Sequence, residues 1–400
     1  MSQERGFLDA IWDEPDEDVH RLAYADWLNE RDDQASQDRG EFIRLQCESA
    51  RLPDADPRRA EIVARENVLL ETYRGAWVEA PFVEWLKHPR KKCANPVGHR
   101  FCELMARSLG AKLQRDALPE GDAGRKRFDR IIDRTGQKID DEMGWYPSTS
   151  DAPLFEEYVF RRGFMEEATV VDFMVMLFSE AVFALCPLRR LMVDEPGICD
   201  RPDTVLDGLV RGLPAGKLTH LTIIPPAETV GAIERFAASD GLARLEWLVI
   251  SMPDDVNEGI EALCSSPHLK RLQTLGLGGD GFDDDALLTL MDTPNLPMLR
   301  EVRFDFSETP TFSAPVRKRF RKRFRLLDHQ GNELRDERNQ RGAANMALTT
   351  PEGFAETVRP LGPSRVAIVD RSDTWNTADQ QNLTATSDRK STRLNSSHSS

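Results

Sequence analysis

Residues 272–277 read Leu-Gln-Thr-Leu-Gly-Leu, and this Leu-x-x-Leu-x-apolar pattern recurs through the second half of the chain. The five segments are Leu188–Val193, Leu218–Ile223, Leu245–Ile250, Leu272–Leu277 and Leu299–Phe304, the last with valine at its second leucine position. Successive segments begin 30, 27, 27 and 27 residues apart. A constant period in the twenties is typical of a solenoid, because one repeat can bury its apolar face only by stacking on its neighbours. The pattern favours a binding surface over an active site.

Between these segments, apolar residues recur at the spacing of an α-helix. They predict helices at 172–185, 203–213, 228–240, 256–265 and 282–292. Each repeat then consists of a strand, a loop and a helix.

One face of the predicted strands is a candidate binding site. Alternate side chains of a strand point to opposite faces, so the residues that flank each buried pair share a face. We predict a site at Arg190, Met192, His220, Ile224, Trp247, Val249 and Arg303. Its four apolar residues would form an exposed cluster with a polar rim, as in many protein-binding hot spots. A structural role, with Trp247 covered by another part of the chain, is equally open.

Composition bounds the class of protein. The formal charge is −15, which disfavours binding to nucleic acid or to an anionic membrane. The six cysteines form no Cys-x-x-Cys pair and favour reduced thiols in a cytoplasm. The apolar stretch 173–188 is too short for a membrane span and contains Glu180, and the first residues do not resemble a signal peptide.

Residues 1–85 are predicted to form a helical domain, with Asp18 capping a helix that extends to about Arg31. Further helices are expected at about 39–52 and 58–77. Two motifs stand out, Tyr24-Ala25-Asp26-Trp27-Leu28 and Arg39-Gly40-Glu41-Phe42-Ile43-Arg44. With their surroundings, over residues 5–80, they resemble the repeat-companion domain of planctomycete bacteria. The resemblance implies a cytoplasmic protein in which this domain precedes leucine-rich-type repeats, and it implies no established activity.

Two further segments fit that resemblance. The stretch Tyr158–Phe164 resembles the strand that opens the repeat region of such proteins, and 284–288 resembles a ribonuclease-inhibitor-type leucine-rich repeat. The predicted fold is therefore α/β: an N-terminal all-α domain followed by a short leucine-rich-repeat-like α/β solenoid over 155–328. The usual asparagine of such repeats is replaced by Pro196, Pro226, Pro253, Asp280 and Ser307.

Residues 86–150 form a basic insert, with fourteen Lys or Arg against six Asp or Glu between Lys87 and Lys138. The first 45 residues have the opposite balance, thirteen acidic to five basic. This asymmetry suggests that the insert docks on the acidic helical domain. The insert contains His88, Cys93, His99 and Cys102, whose spacing matches no common structural zinc site, so no metal is expected.

The segment Arg317–Arg325 has seven basic residues and two phenylalanines. One interpretation is a patch for nucleic acid or anionic lipid. The favoured interpretation is a helix that caps the open end of the repeats, with both phenylalanines inward. Residues 329–387 lack apolar periodicity and read either as a disordered tail or as a stretch of low-quality sequence. Residues 388–400 resemble the translation of a sequencing adapter and take no part in the fold prediction.

No catalytic signature supports an enzyme. The chain has no G-x-S-x-G, P-loop or H-E-x-x-H motif, and the glycines of 276–281 lie at a repeat strand and turn. The sequence therefore predicts a non-enzymatic, cytoplasmic protein-interaction or scaffolding protein with no cofactor, an unidentified protein partner and no membrane or nucleic-acid partner. The alternative is a metal-binding or nucleic-acid-associated factor acting through the basic insert.

Overall fold

The protein is of the α/β class. The computed structural model describes residues 3–53, 55–87, 98–143, 155, 157–194, 205–213, 217–224, 229–252, 256–279, 281–305 and 312–328. A helical region comes first, and an eight-stranded, mostly parallel sheet with helices between its strands follows. Within these residues, no helix is both long and apolar enough to cross a bilayer.

Seven α-helices precede the sheet in the described residues. They are α1 (Gln3–Asp13), α2 (Asp18–Asn29), α3 (Gln34–Arg51), α4 (Arg58–Arg74), α5 (Ala80–Lys87), α6 (Gly98–Asp116) and α7 (Arg125–Met143). The prediction that Asp18 caps α2 is wrong, because Asp18 is the first helical residue and Glu17 holds the cap position. The Asp18 carboxylate instead accepts from Arg51 at 2.9 Å and from Arg162 at 3.4 Å. A π-helical turn at 75–79 joins α4 to α5.

The sheet follows the order of the chain. Its strands are β1 (Glu157–Arg161), β2 (Phe164–Val171), β3 (Arg190–Asp194), β4 (His220–Ile223), β5 (Trp247–Ser251), β6 (Thr274–Gly278), β7 (Glu301–Asp305) and β8 (Arg325–Asp328). The helices between them are α8 (Asp172–Leu185), α9 (Val205–Gly212), α10 (Val230–Ala237), α11 (Val256–Cys264), α12 (Asp284–Asp292) and α13 (Ala314–Phe320). The first two strands form an antiparallel hairpin, and every later pair is parallel. The five helices predicted from periodicity are confirmed, with ends that shift by up to three residues.

The repeated leucine pattern forms the core between sheet and helices. All fifteen of its apolar residues are at most 5 % exposed. Burial of each such side chain stabilises the fold by about 1.5–3 kcal/mol relative to leaving it in water. The constant spacing keeps equivalent residues paired, so Leu248 lies opposite Leu275, and Leu275 opposite Val302.

Hydrogen bonds between successive repeats satisfy backbone groups in the segments that lead from each helix to the next strand. Before the strands, each repeat donates an N–H to the carbonyl of the preceding one, as from Gln273 to Glu246 at 2.8 Å and from Arg300 to Gln273 at 2.9 Å. At the helix ends, the hydroxyls of Ser266 and Thr293 donate to backbone carbonyls of the preceding repeat. The five positions that replace the usual asparagine lie outside the described residues.

The last elements described at the C-terminal end of the sheet are α13 and β8. The rings of Phe320 and Phe324 are buried and lie 4.8 Å apart, so both phenylalanines face inward. The helix is shorter than predicted, however, because it ends at Phe320, and β8 was not predicted. Residues 329–400 lie outside the described residues.

The β1–β2 turn is bound by the helical region through a buried arginine. The Arg21 guanidinium is fully buried and pairs with Glu166 at 2.5 Å. It also donates to the backbone carbonyls of Pro15, Arg161 and Arg162. Burial raises the pKa of Glu166, and the opposing charge of Arg21 acts against that rise. A buried ion pair with several further hydrogen bonds defines one docking geometry for the turn.

Gly163 lies at the centre of the same contact. Its φ is +90°, and a Cβ atom there would lie 2.4 Å from Ile43 Cγ1, so only glycine fits. Its N–H donates to Gln46 at 2.8 Å, and its carbonyl accepts from Arg39 at 2.6 Å. The guanidinium of Arg39 also lies within 6 Å of four ring centroids, those of Phe42, Trp77, Phe160 and Phe164. The two motifs recognised in the helical domain and the Arg162-Gly163-Phe164 turn are thus complementary parts of one interface.

The described part of the basic insert packs through apolar contacts. The helix α6 packs against α7 and α5. A Cβ placed at Gly110 or Gly75 would lie within 4 Å of Val83 or Leu113 respectively, so the helices approach closely there. His88 and Cys93 lie outside the described residues.

Candidate binding surface on the sheet face

Strand pairing brings most of the predicted site residues together. In the first row across the sheet, Arg190 pairs with His220, His220 with Trp247, and Trp247 with Thr274. The second row contains Met192, Thr222, Val249, Gly276 and Arg303. Ile224 directly follows β4, and its backbone carbonyl accepts from the Ser251 hydroxyl at 2.9 Å. The predicted residues therefore share one face, which we call the sheet face and define by these two rows.

The sheet face carries a continuous strip of stacked and paired side chains. The rings of His220 and Trp247 stack with centroids 6.2 Å apart and an interplanar angle of 17°. The Arg303 guanidinium carbon lies 4.6 Å from the Trp247 ring centroid. Arg303 also pairs with Glu301 at 2.6 Å, and Glu301 accepts from Arg325 at 3.2 Å. We call these five residues the aromatic–arginine strip.

Glycine makes the long reach of Arg303 possible. Arg303 lies on β7 and Trp247 on β5, so the arginine crosses β6 over a distance of about 10 Å, two strand spacings. Opposite Arg303 on β6 is Gly276, which has no side chain to obstruct the crossing. The same glycine accommodates Val249, because a Cβ at position 276 would lie 2.8 Å from Val249 Cγ2.

The predicted exposed apolar cluster is wrong in part. Val249 is 5 % exposed, because its methyl groups fill the space beside Gly276. Arg190, predicted at the rim, is 7 % exposed and lies 3.8 Å from Glu167 on the neighbouring strand. Met192, Ile224, Trp247, His220 and Arg303 are partly exposed. The accessible part of the site therefore combines His220, Trp247 and Arg303 of the aromatic–arginine strip with two separate apolar residues, Met192 and Ile224, and is not a broad apolar patch.

The indole N–H of Trp247 is buried and has no hydrogen-bond acceptor among the described residues. A buried, unsatisfied donor typically costs about 1–3 kcal/mol. A partner that supplied an acceptor after a small shift of the ring would recover part of this cost. The ring itself provides the rigid, largely apolar area that anchors many protein interfaces.

His220 is held in a neutral and unreactive state. Burial, with Arg190 and Arg189 nearby, lowers the pKa of His220 to about 4, so the ring is uncharged at neutral pH. Its Nδ1 atom lies 3.0 Å from the Thr219 hydroxyl, which itself donates to the carbonyl of Arg189 at 3.1 Å. In the Nδ1–H tautomer, the ring donates to this hydroxyl while the hydroxyl donates to the Arg189 carbonyl. This arrangement orients the imidazole for stacking and does not activate Thr219 as a nucleophile.

The glycine-rich segment after β6 does not form a phosphate-binding loop. Such loops present free N–H groups at a helix N-terminus. Here the Asp283 carboxylate already accepts from the N–H groups of Asp285 and Ala286 at the start of α12. Asp284 and Asp285 add negative charge to the same turn and would repel a phosphate.

Other reactive groups in the described residues are buried or dispersed. Burial raises the pKa of Cys47, Cys186 and Cys264 to about 12, so each stays a thiol at neutral pH. Among the described residues, no three His, Cys, Asp or Glu side chains are placed to hold a metal ion. Cys102 is buried, and two of its three proposed zinc-ligand partners lie outside the described residues.

Sequence reasoning missed how the strip is linked. It placed Arg303 on the correct face, but it did not foresee the ion pair of Arg303 with Glu301 or the contact of Arg303 with Trp247. Two residues apart on one strand, Glu301 and Arg303 share a face, and this spacing was the available signal for their ion pair. Neither protein-family models nor curated proteins match this chain.

Proposed function

We propose that this chain is a non-enzymatic interaction or scaffolding protein that binds a protein partner on its sheet face. The observation that carries the proposal is the aromatic–arginine strip. Trp247 is stacked between His220 and Arg303 on neighbouring parts of one sheet, with charged residues beyond. Tryptophan and arginine dominate binding energy at many protein interfaces, and parallel strands hold them with little conformational freedom.

We further propose that the sheet and its helices form a leucine-rich-repeat-like solenoid, preceded by a repeat-companion-type helical domain. The 27-residue period and the one-to-one pairing of equivalent residues support the solenoid. Gly163 lies against Ile43 and accepts from Arg39, within the stretch 24–44 that contains both motifs. This contact supports the resemblance, because it gives that stretch the role of holding the β1–β2 turn. The four cysteines within the described residues are free thiols, and this supports action in a cytoplasm.

Trp247→Ala tests the sheet face. The variant should lose at least tenfold in affinity for its partner, about 1.4 kcal/mol or more, while its circular dichroism spectrum stays unchanged. Quantitative capture from host lysate identifies proteins that depend on Trp247, and titration calorimetry with the purified partner then measures the affinity. Met298→Ala is the matched control, because Met298 is 41 % exposed and lies outside the strip.

Equal capture by wild type and both variants would contradict a binding role for the sheet face. Unfolding of Trp247→Ala would instead show that the tryptophan is part of the core. Stoichiometric metal in the purified full chain, measured by mass spectrometry, would favour the alternative in which the basic insert binds metal.

A further inference from the structure

One glutamate of the helical region is buried without a basic partner. Glu66 on α4 is 1 % exposed, and its Oε1 atom makes no hydrogen bond in the described part of the chain. Among the same residues, no arginine or lysine side chain lies within 4 Å of its carboxyl group. Glu166, which is also buried, has Arg21 at 2.5 Å. A carboxylate removed from water without such a partner is costly, so burial favours the neutral form of Glu66.

The charges around Glu66 offset this cost only in part. Arg59, two turns earlier on α4, lowers the pKa of Glu66, and so does the uncharged Gln46 on α3. Other charged side chains on α3 and on the β1–β2 hairpin have partners of their own: Arg39 with the Gly163 carbonyl, Glu41 with Arg65, Glu48 with Arg58, Arg161 with Glu167 and Arg162 with Asp18. Burial therefore prevails, and it raises the pKa of Glu66 to about 7.

Gln46 connects Glu66 to the β1–β2 turn. Its side chain is buried, and its Oε1 atom accepts from the N–H of Gly163 at 2.8 Å. The Nε2 end of the same amide makes no well-aligned hydrogen bond among the described residues, yet it is near enough to lower the pKa of Glu66. Because the amide group is planar and rigid, a movement of Nε2 toward Glu66 also displaces Oε1 from Gly163. The charge state of Glu66 can therefore reach the turn through one side chain.

We propose that Glu66 is a proton-binding site that makes the docking of the β1–β2 turn on the helical region sensitive to pH near neutrality. With its proton bound, Glu66 is neutral and α3 and α4 remain packed around Gln46. Once ionised, the buried carboxylate draws the Gln46 amide and water toward itself, and the hydrogen bond to Gly163 weakens. Slight acidification thus tightens the contact between helices and sheet, and a slight rise in pH loosens it.

The direction of the effect follows from proton linkage. The pKa of Glu66 in the folded chain lies above its ordinary value of 4.5. The stabilisation that comes from its proton is therefore complete below that value and is lost as the pH rises through 7. Between pH 6 and pH 8, the population of the locally open state should rise about tenfold. Hydrogen exchange of the full chain, corrected for the intrinsic effect of pH on exchange, should show this rise in α4 and in 157–164.

Two substitutions remove the charge while retaining a side chain of similar length. Glu66→Gln mimics the protonated carboxyl group and should abolish the tenfold rise. Glu66→Met is uncharged as well and should do the same, which keeps the test decisive if the glutamine variant packs poorly. Glu71→Gln is the matched control, because Glu71 is an exposed residue of the same helix. That variant should respond to pH like the wild type.

Carbon-13 NMR of the glutamate carboxyl groups measures the titration itself. The resonance that disappears in Glu66→Gln should have a midpoint at about pH 7, whereas that of Glu71 should titrate at about pH 4.3. A midpoint for Glu66 near that of Glu71 would overturn the proposal, as would a tenfold rise that persists in both Glu66 variants. A rise that occurs in α4 and leaves 157–164 unchanged would show that the proton is not coupled to the turn, which also overturns it.

Discussion

At the contact between the helical region and the sheet, a single residue must both adopt a left-handed backbone conformation and fit a space too small for a side chain. Gly163 has a left-handed φ, and it also lies against Ile43 with no room for a methyl group. Its neighbour Arg162 adopts a left-handed φ of 48° as well. Such conformations cost about 1–3 kcal/mol in non-glycine residues, and surrounding contacts must compensate for them.

Gly163→Ala should therefore lower the free energy of unfolding by about 3 kcal/mol or more, since it adds a collision to conformational strain. Gly121→Ala is the matched control, because Gly121 has a φ of +88° and open space around its Cα. That variant should cost only about 1 kcal/mol. Urea titration measures the free energy of unfolding of both variants. Equal losses would show that Ile43 moves aside to accommodate the added methyl group.

At the scale of elements, the repeats depend on one another. Leu275 on β6 is 1 % exposed and pairs with Leu248 on one side and Val302 on the other. Each strand has hydrogen bonds only to its sequence neighbours, so damage to one is transmitted directly to the next two.

Leu275→Ala should cost about 2–5 kcal/mol and lower the midpoint of urea unfolding. Far-ultraviolet circular dichroism should report the same loss, and hydrogen exchange should rise in β5 and β7 as well as β6. Leu275→Met nearly preserves volume and should cost less than about 1.5 kcal/mol. An unchanged midpoint in the alanine variant would contradict the burial described for this leucine.

Some of these elements could be predicted from sequence and others could not. The period of 27 residues is sufficient to align Trp247 with His220, because a constant spacing leaves a single register. The burial of Val249 was not predictable, since it depends on the space that Gly276, which has no side chain, leaves on the neighbouring strand. The strand β8 was missed because Leu326 and Leu327 lack the leading leucine of the pattern. The aromatic surroundings of the Arg39 guanidinium were not predictable either, since two of the rings lie more than a hundred residues away in sequence.

At the scale of the whole molecule, the helical region and the sheet are joined by the buried pair of Arg21 and Glu166. Removal of one partner from a buried ion pair leaves an uncompensated charge and typically costs about 3–5 kcal/mol. Arg21 makes four hydrogen bonds, one to Pro15 before α2 and three to the β1–β2 hairpin. Its loss should therefore destabilise the helices and the strands together.

Arg21→Leu should consequently increase hydrogen exchange in α2 and in β2 and β3 together, as measured by mass spectrometry. Arg44→Leu, which removes only the exposed pair of Arg44 with Asp26, should change exchange little in either region. Faster exchange confined to α2 in the Arg21 variant would show that the two parts unfold independently.

The agreement between strand order and chain order has a consequence for how this protein can change in length. Because every strand touches only the strands before and after it, tandem duplication of one 27-residue unit inserts a new strand that pairs on each side through residues equivalent to those already paired. Each such event widens the sheet face by about 4.8 Å and leaves both ends of the molecule as they were. Unequal recombination can thus adjust the size of the face in fixed steps, whereas a sheet of interleaved strand order would have to be rebuilt.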